Sequence, residues 1–433
     1  MPTTKRKKVL VPFERFELAC GAVLMVSPLE GAPVTAIQAH IRGGHSLDPK
    51  GKEGTAALLG GMIDQGTASH DEAAIASALE PIGGALSGLA NGLNGTVASA
   101  SWKKLFDLFC ECLTQPTIPK DRFDRQKSRM LDGLRLREDN PRSQADLRLR
   151  KLVYGDNWLG RSENGDVTSA SKIRRADLVK FHAKNWVASR TVIAVSGDVK
   201  PAEVARHLDR RLTGWSAGKP LGPPDTSFPE HAVRSDVFTA ERQQVHVFLG
   251  HLGIVRKDPD YCPLVVMDYI LGTGPGFTNR ISKRLRDELG LAYTVHASIS
   301  SSAGYVPGMF TAYIGTSPEN FGTALDGFLG EMRKIRDKRV SKGELELVKS
   351  YLSGSFLMAF ERASRRAGHL VSIERNQFPE GHIENVMAEL QAVTAADVQR
   401  AARAHLFPDK TSLAVGGPIK AKDVAKLHRE LSQ

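Results

Sequence analysis

The sequence predicts an α+β fold built twice: two homologous domains, each a mainly antiparallel sheet packed against helices. Three observations carry this expectation. A segment recurs at a fixed offset of 220 residues, strand-like runs open both halves, and a stretch rich in glycine and proline lies between them. The repeat is the strongest of the three. Ile-Arg-Arg-Ala-Asp-Leu-Val-Lys-Phe from Ile173 matches Val-Thr-Ala-Ala-Asp-Val-Gln-Arg-Ala from Val393, so that Asp177 falls on Asp397. Thr191-Val-Ile-Ala-Val-Ser-Gly197 then matches Thr411-Ser-Leu-Ala-Val-Gly-Gly417. Each copy reads as an amphipathic helix, a short polar link and a buried strand ending in glycine.

Val23 to Val26 and Val34 to Ile41 read as paired strands, and Gln244 to Leu249 opens the second half in the same way. Helical patterns come next in both halves, over 54–66 and 261–271. Pro220, Pro223, Pro224 and Pro229 mark 215–230 as a linker, with domains expected over 1–214 and 231–433. At 433 residues the chain has room for two domains of about 200 residues.

Composition narrows the function classes. Hydrophobic residues make up 41% and charged residues 25%, an ordinary globular balance. No stretch is apolar for the roughly 18 residues of a membrane span. The basic start, Lys5 to Lys8, does not run on into a long apolar segment. No signal peptide is therefore read in the chain as given, and a cytoplasmic location is expected, or a periplasmic one if a leader was removed. Net charge is +11, but basic residues are interleaved with acidic ones and no aromatic-basic stripe suggests nucleic-acid binding. An acidic peptide or an acidic partner subunit accounts for the charge as well. Cys20, Cys110, Cys112 and Cys262 are too sparse for a disulfide framework, and the Cys110/Cys112 pair reads as small buried residues of a helix.

One segment of the second half combines a helix end with two polar side chains. From Arg280 the spacing predicts a helix with Ile281, Leu285 and Leu289 on one face and Gly290 as its C-terminal glycine. An extended run starts at Tyr293. Arg286 in the last turn and Tyr293 at the strand entry can converge, and a guanidinium with a phenol can hold a peptide carbonyl or an oxyanion. The run 271–277, Leu-Gly-Thr-Gly-Pro-Gly-Phe, lacks the Lys-Ser/Thr of a phosphate loop and reads as a turn. His182 and His405, near the ends of the two repeat helices, read as structural.

The helix, glycine and tyrosine, written R-I-x-x-x-L-R-x-x-x-G-L-A-Y, resemble the second domain of the pitrilysin/mitochondrial processing peptidase family, the inverzincins. Further matches run in the same order along nearly the whole chain. Gly43 to Gly54 resembles the approach to the family's zinc helix, and Met62 to Thr67 resembles the segment after it. Leu178 to Trp186 with Val195 to Asp198 resembles the end of the first domain. Asp258 to Leu264 with Ile270 to Gly274 resembles the second.

The departure matters more. The family's helix carries H-x-x-E-H, two zinc-binding histidines with a glutamate between them as general base. Aligned on Gly54 and Gly66-Thr67, this chain has Ala57 and Gly61 at the histidines and Gly60 at the base. The third ligand, a glutamate in the segment from Phe123, falls on Gly133, and a second family glutamate falls on Gln126. None of Ala57, Gly60, Gly61 and Gly133 has a side-chain donor, so no zinc is expected on this chain. Other pairings offer no replacement: His40/His45 and His246/His251 are spaced i, i+5, which splays them on a helix or a strand.

The resemblance implies one half of a clam-shell peptidase. In the family's two-chain members one subunit supplies zinc and base, and the other supplies the Arg/Tyr pair. This chain resembles the second kind: a non-catalytic, substrate-binding subunit of a heterodimeric zinc metallopeptidase. Arg286 and Tyr293 would hold an extended peptide, while zinc sits in a homologous partner bearing H-x-x-E-H. Two alternatives stay open, a scaffolding subunit of the respiratory-complex core type and a homodimeric peptide-binding protein without hydrolysis.

Overall fold

A computed structural model of the chain describes residues 9–275 and 278–433. Among the described residues eleven strands run in chain order. β1 (Glu14–Glu17), β2 (Val23–Pro28), β3 (Val34–Ile41), β4 (Ala85–Leu89), β5 (Gly92–Ala98) and β6 (Thr191–Gly197) form one sheet. β7 (Arg234–Thr239), β8 (Val245–Leu252), β9 (Val295–Ser298), β10 (Met309–Thr316) and β11 (Ser412–Gly417) form the other. The helices up to the midpoint are α1 (Thr55–Gly60), α2 (Glu72–Leu79), α3 (Trp102–Thr114), α4 (Lys120–Glu138), α5 (Pro141–Tyr154), α6 (Val167–Ser171), α7 (Arg175–Asn185) and α8 (Pro201–Arg211). Beyond it come α9 (Tyr261–Asp268), α10 (Phe321–Asp337), α11 (Lys342–Ala359), α12 (Ala363–Asn376), α13 (His382–Ala392), α14 (Ala395–His405) and α15 (Ala421–Leu431).

The duplication is plain in the strand orders. The first sheet runs β1-β2-β6-β3-β5-β4 and the second β7-β11-β8-β10-β9. Apart from the extra β1, the orders are the same when β7 is laid on β2 and β11 on β6. Each sheet has a single parallel pair, β2 with β6 and β7 with β11, and is otherwise antiparallel. The repeat of offset 220 is α7 with β6 and α14 with β11. All seven residues of β6 and all six of β11 are buried. That burial on both faces is why these strands read as continuous apolar runs rather than alternating ones. It also corrects one expectation: β2 and β3 are not partners, because β6 lies between them. A strand supplied from far along the chain has taken the central place that two neighbouring apolar runs seemed to share.

The chain divides into two compact units that are discontinuous in sequence. The first gathers Met1–Leu134, Ser162–Pro223 and Phe356–Glu384, and the second Arg135–Arg161, Pro224–Ser355 and Asn385–Gln433. Each half thus lends one helix to the other unit. α12 packs on β6 and β3 of the first sheet, and α5 packs on β11, β8 and β7 of the second. The midpoint change between units, at Pro223 and Pro224, falls within the proline-rich stretch. In the first unit α3 covers the sheet with Trp102, Leu105, Phe106, Phe109 and Leu113, spaced to line one face of a helix and all buried. Burying each such side chain contributes about 1.5–3 kcal/mol. In the second unit Ala145, Leu149, Val153 and Tyr154 of α5 pack on Phe248, Met309, Tyr313 and Ala414. Cys110, Cys112 and Cys262 are buried free thiols and Cys20 is half-buried.

Candidate functional site

The first unit holds the four positions expected for a zinc site, three on or at the end of α1 and Gly133 on α4. α1 begins after Gly54, and its first turn is held by the Asp48 carboxylate, which accepts the N–H groups of Gly54 and Ala56, both at 2.7 Å. Burial pushes the Asp48 carboxyl up to about 7. The helix is short: Ala57 and Gly60 lie on it, Gly61 ends it, and a looser turn comes next where a longer helix was expected. A Cβ on Gly60 would lie 2.4 Å from the carbonyl carbon of Leu89 and 2.8 Å from the Ala90 nitrogen, inside van der Waals contact with the end of β4. A Cβ on Gly61 would lie 2.6 Å from Nε2 of Gln126, whose side chain reaches over from α4. Gly133, on the same helix, faces open space. These residues do not fit a zinc ion. None offers a ligand atom, and two of the places a ligand or base would fill are taken by the Leu89 backbone and the Gln126 amide.

The second unit brings together Arg286 and Tyr293. Ile281 and Leu285 are fully buried, which fixes the face of the helix that carries Arg286. Arg280 anchors its start through a two-pronged ion pair with Glu344, Nε to Oε1 at 2.7 Å and Nη2 to Oε2 at 3.0 Å. That guanidinium holds the Glu344 carboxyl down at about 2. Residues Ser282–Glu288 widen into a π-helix, with Leu289 N–H donating to the Arg284 carbonyl five residues back. Gly290 then turns the chain at φ +63, its N–H bonded to the Arg286 carbonyl. After that turn Tyr293 comes back beside Arg286, the guanidinium 5.4 Å from the centre of the phenol ring. Tyr293 is 81% exposed and Arg286 half-buried. The pair can offer a phenol O–H and guanidinium N–H groups to a ligand from one place.

The strand after Tyr293 is held by a residue that local pattern reading missed. Asp268, 1% exposed, accepts hydrogen bonds from the hydroxyls of Ser298 and Ser300 and from the N–H groups of Ile299 and Ser300. Its signal was a lone acid in the apolar run Leu264 to Leu271. Of the 271–277 run, Gly276 and Phe277 lie outside the described residues, and Tyr269–Thr273 forms a short π-helix.

Among the described residues one group, Asp258, Asp260 and His405, has the spacing of a cation site. Asp260 already has partners within the chain: Arg400 Nη1 lies 2.7 Å from its Oδ1, and His405 Nε2 lies 2.9 Å from its Oδ2. The group ties the start of α9 to the end of α14. His182 has its Nε2 3.0 Å from the Leu113 carbonyl.

Two family profiles match the chain, "Insulinase (Peptidase family M16)" over residues 24–165 and "Peptidase M16 inactive domain" over residues 172–352. An uncharacterized zinc protease of Streptomyces coelicolor is 24% identical over 385 residues, covering 87% of this chain and 83% of its own. A Helicobacter pylori protein named non-peptidase homolog YmxG is 23% identical, covering 86% of each chain. The crystal structure of a peptidase M16 inactive domain from Pseudomonas fluorescens superposes with a TM-score of 0.88 at 26% identity, over 95% of this chain and 99% of its own.

Proposed function

This chain belongs to the M16 peptidase family, and on that premise we propose that it is a non-catalytic, substrate-binding subunit of a heterodimeric zinc metallopeptidase acting on extended peptides. The observation that carries the proposal is a contrast between its units. The positions of the zinc ligands and base hold Ala57, Gly60, Gly61 and Gly133, without a donor among them, whereas Arg286 and Tyr293 stand together with the phenol in solvent. A chain that had lost all use for substrate would have no reason to keep a solvent-facing phenol braced by a guanidinium. On this reading the zinc site has been lost and the zinc belongs to a homologous partner that retains H-x-x-E-H.

Arg286 and Tyr293 act by holding. Their N–H and O–H groups donate to backbone carbonyl oxygens of a peptide bound in extended form. The guanidinium and the phenol both present hydrogen-bond donors, which suits them to main-chain oxygens. The chain performs no bond cleavage itself.

The test is to purify this chain and an H-x-x-E-H relative encoded beside it, then measure zinc content and peptide turnover of each alone and of the mixture. The expected result is less than a tenth of an equivalent of zinc on this chain, no turnover by either alone and turnover by the mixture. Stoichiometric zinc on this chain, or full activity of the relative without it, would overturn the proposal. A mixture that associates but stays inactive would favour a scaffolding role, the reading in line with the non-peptidase name of the Helicobacter relative.

A further inference from the structure

A second cluster of polar side chains lies in the second unit, on the sheet face that α5 covers. Tyr313 of β10 is 3% exposed, and its hydroxyl shares a 3.1 Å hydrogen bond with Nδ1 of His246 on β8. His296 of β9 sits opposite Tyr313 in the strand register, the ring centres 5.4 Å apart. Arg142, in the first turn of α5, lies with its guanidinium 4.3 Å from the centre of the Tyr313 ring. The start of α5 is pressed onto the sheet here, for a Cβ on Gly416 would lie 2.1 Å from the Pro141 carbonyl oxygen. Gly315 keeps the spot open: a Cβ there would be 3.1 Å from the Tyr313 hydroxyl. Four elements thus deliver two imidazoles, a phenol and a guanidinium to one place.

The cluster lacks a counter-charge. Among the described residues no carboxylate pairs with Arg142, His246 or His296, and the charge acting on both imidazoles is that of Arg142. Ion pairs are frequent elsewhere, and the neighbouring Arg148 and Arg150 on the same helix each have an aspartate within 3.6 Å. Both histidines are half-buried and Arg142 is exposed. The duplicated fold supplies its own control. With β11 laid on β6 at the offset of the repeat, the positions in the first sheet that match His246, Tyr313 and His296 by strand register are Ala36, Asn94 and Ser87. The architecture therefore does not require these side chains.

We infer that Arg142, His246, His296 and Tyr313 form an oxyanion-binding site, for a carboxylate or a phosphate group. Arg142 supplies the permanent charge, and the first-turn position adds the positive end of α5. The imidazoles supply further N–H donors and become full cations as the anion arrives. Without a ligand, burial and the nearby guanidinium both depress the two histidines. An anion seated between them reverses the second effect, so binding near neutral pH is accompanied by proton uptake. The site stands apart from the reading of Arg286 and Tyr293 and needs neither zinc nor a partner chain.

The experiment is histidine NMR on the full chain, titrated separately with inorganic phosphate and with acetate, paired with calorimetry in two buffers of different ionisation enthalpy. Saturation is expected to raise the pKa of His246 and His296 by at least half a unit with net proton uptake. Arg142→Gln should weaken binding tenfold or more with the fold retained by circular dichroism, and Arg150→Gln should leave binding unchanged. Saturation by phosphate alone would identify a phosphoryl ligand, and by acetate a carboxylate such as an acidic side chain; either supports the site. Histidine resonances that ignore both anions, or binding that survives both Arg142→Gln and His246→Gln, would overturn it.

Discussion

At position 60 a glycine touches the backbone of Leu89 and Ala90 so closely that no side chain has room. Gly88 returns the contact from β4, where a Cβ would meet the Gly60 carbonyl oxygen at 2.0 Å. The position where the sequence resemblance places the family's general base is a helix–strand packing point. Gly60→Ala is therefore expected to destabilise the first unit by about 1–3 kcal/mol, the usual cost of forcing a methyl group into a packed place, read from urea unfolding. The combined change Ala57→His, Gly60→Glu and Gly61→His should fail to bind zinc tightly, because the strand and Gln126 occupy the site; metal analysis after dialysis checks it. Asp268 makes a separate prediction. Asp268→Ala leaves several buried donors without an acceptor, a loss of about 3 kcal/mol or more. The same titration, followed by loss of the far-ultraviolet signal, would show a smaller loss if the carboxylate were dispensable.

Among the elements, α5 and α12 carry the largest surprise. Each covers a sheet made mainly by the other half of the chain, so neither contiguous half holds a complete unit. A fragment of residues 1–223 lacks Ala367, Leu370 and Val371, which are buried against the first sheet. Such a fragment is expected to bind a hydrophobic dye strongly and to lose that binding when residues 224–433 are added; a dye-silent, cooperatively melting fragment would contradict the exchange. What the sequence made legible, and what it hid, divides on the same line. α7 with β6 and α14 with β11 were readable because a helix and the strand after it are neighbours, and duplication preserved their spacing. The glycine stop of the Arg286 helix was readable because Gly290 needs its positive φ for local reasons. The place of β6 between β2 and β3 was not readable, since strand order is decided by contacts far apart in sequence and an apolar run does not name its partner. The exchange of α5 and α12 was hidden for the same reason. So was the cluster of Arg142, His246, His296 and Tyr313, which comes from four segments and has no motif. The widening of Ser282–Glu288 into a π-helix left no mark in the apolar spacing, because Ile281 and Leu285 stay on one face in either form.

For the molecule as a whole, titration gives a consequence with a definite sign. Burial holds His40 down at about 4, His251 at about 3 and His428 at about 4. His251 is also fixed as the neutral ring, its Nε2 accepting the Phe407 N–H and its Nδ1 donating to the Leu252 carbonyl. The unfolded chain takes up these protons near pH 6.5 and the folded chain does not. The stability they contribute is thus complete above pH 6.5 and is lost as the pH falls toward 4. Asp48, raised to about 7, acts in the opposite sense but offsets only one of the three. Stability should therefore fall by at least about 1.4 kcal/mol for each pH unit, one net proton, between pH 6.5 and 5; a flat profile from urea unfolding at pH 7, 6 and 5 would refute this. Among the described residues no helix is long and apolar enough to cross a membrane. The most direct measurement is steady-state turnover of an extended peptide by the mixture of this chain with the proposed H-x-x-E-H partner, comparing the native chain with Arg286→Ala and Tyr293→Phe. A substrate-holding pair predicts a fall in kcat of about 10²–10³-fold for the arginine change, the scale of losing a preorganised hydrogen-bond donor, with chain association and the unfolding midpoint unchanged. Unaltered turnover in both variants would contradict it.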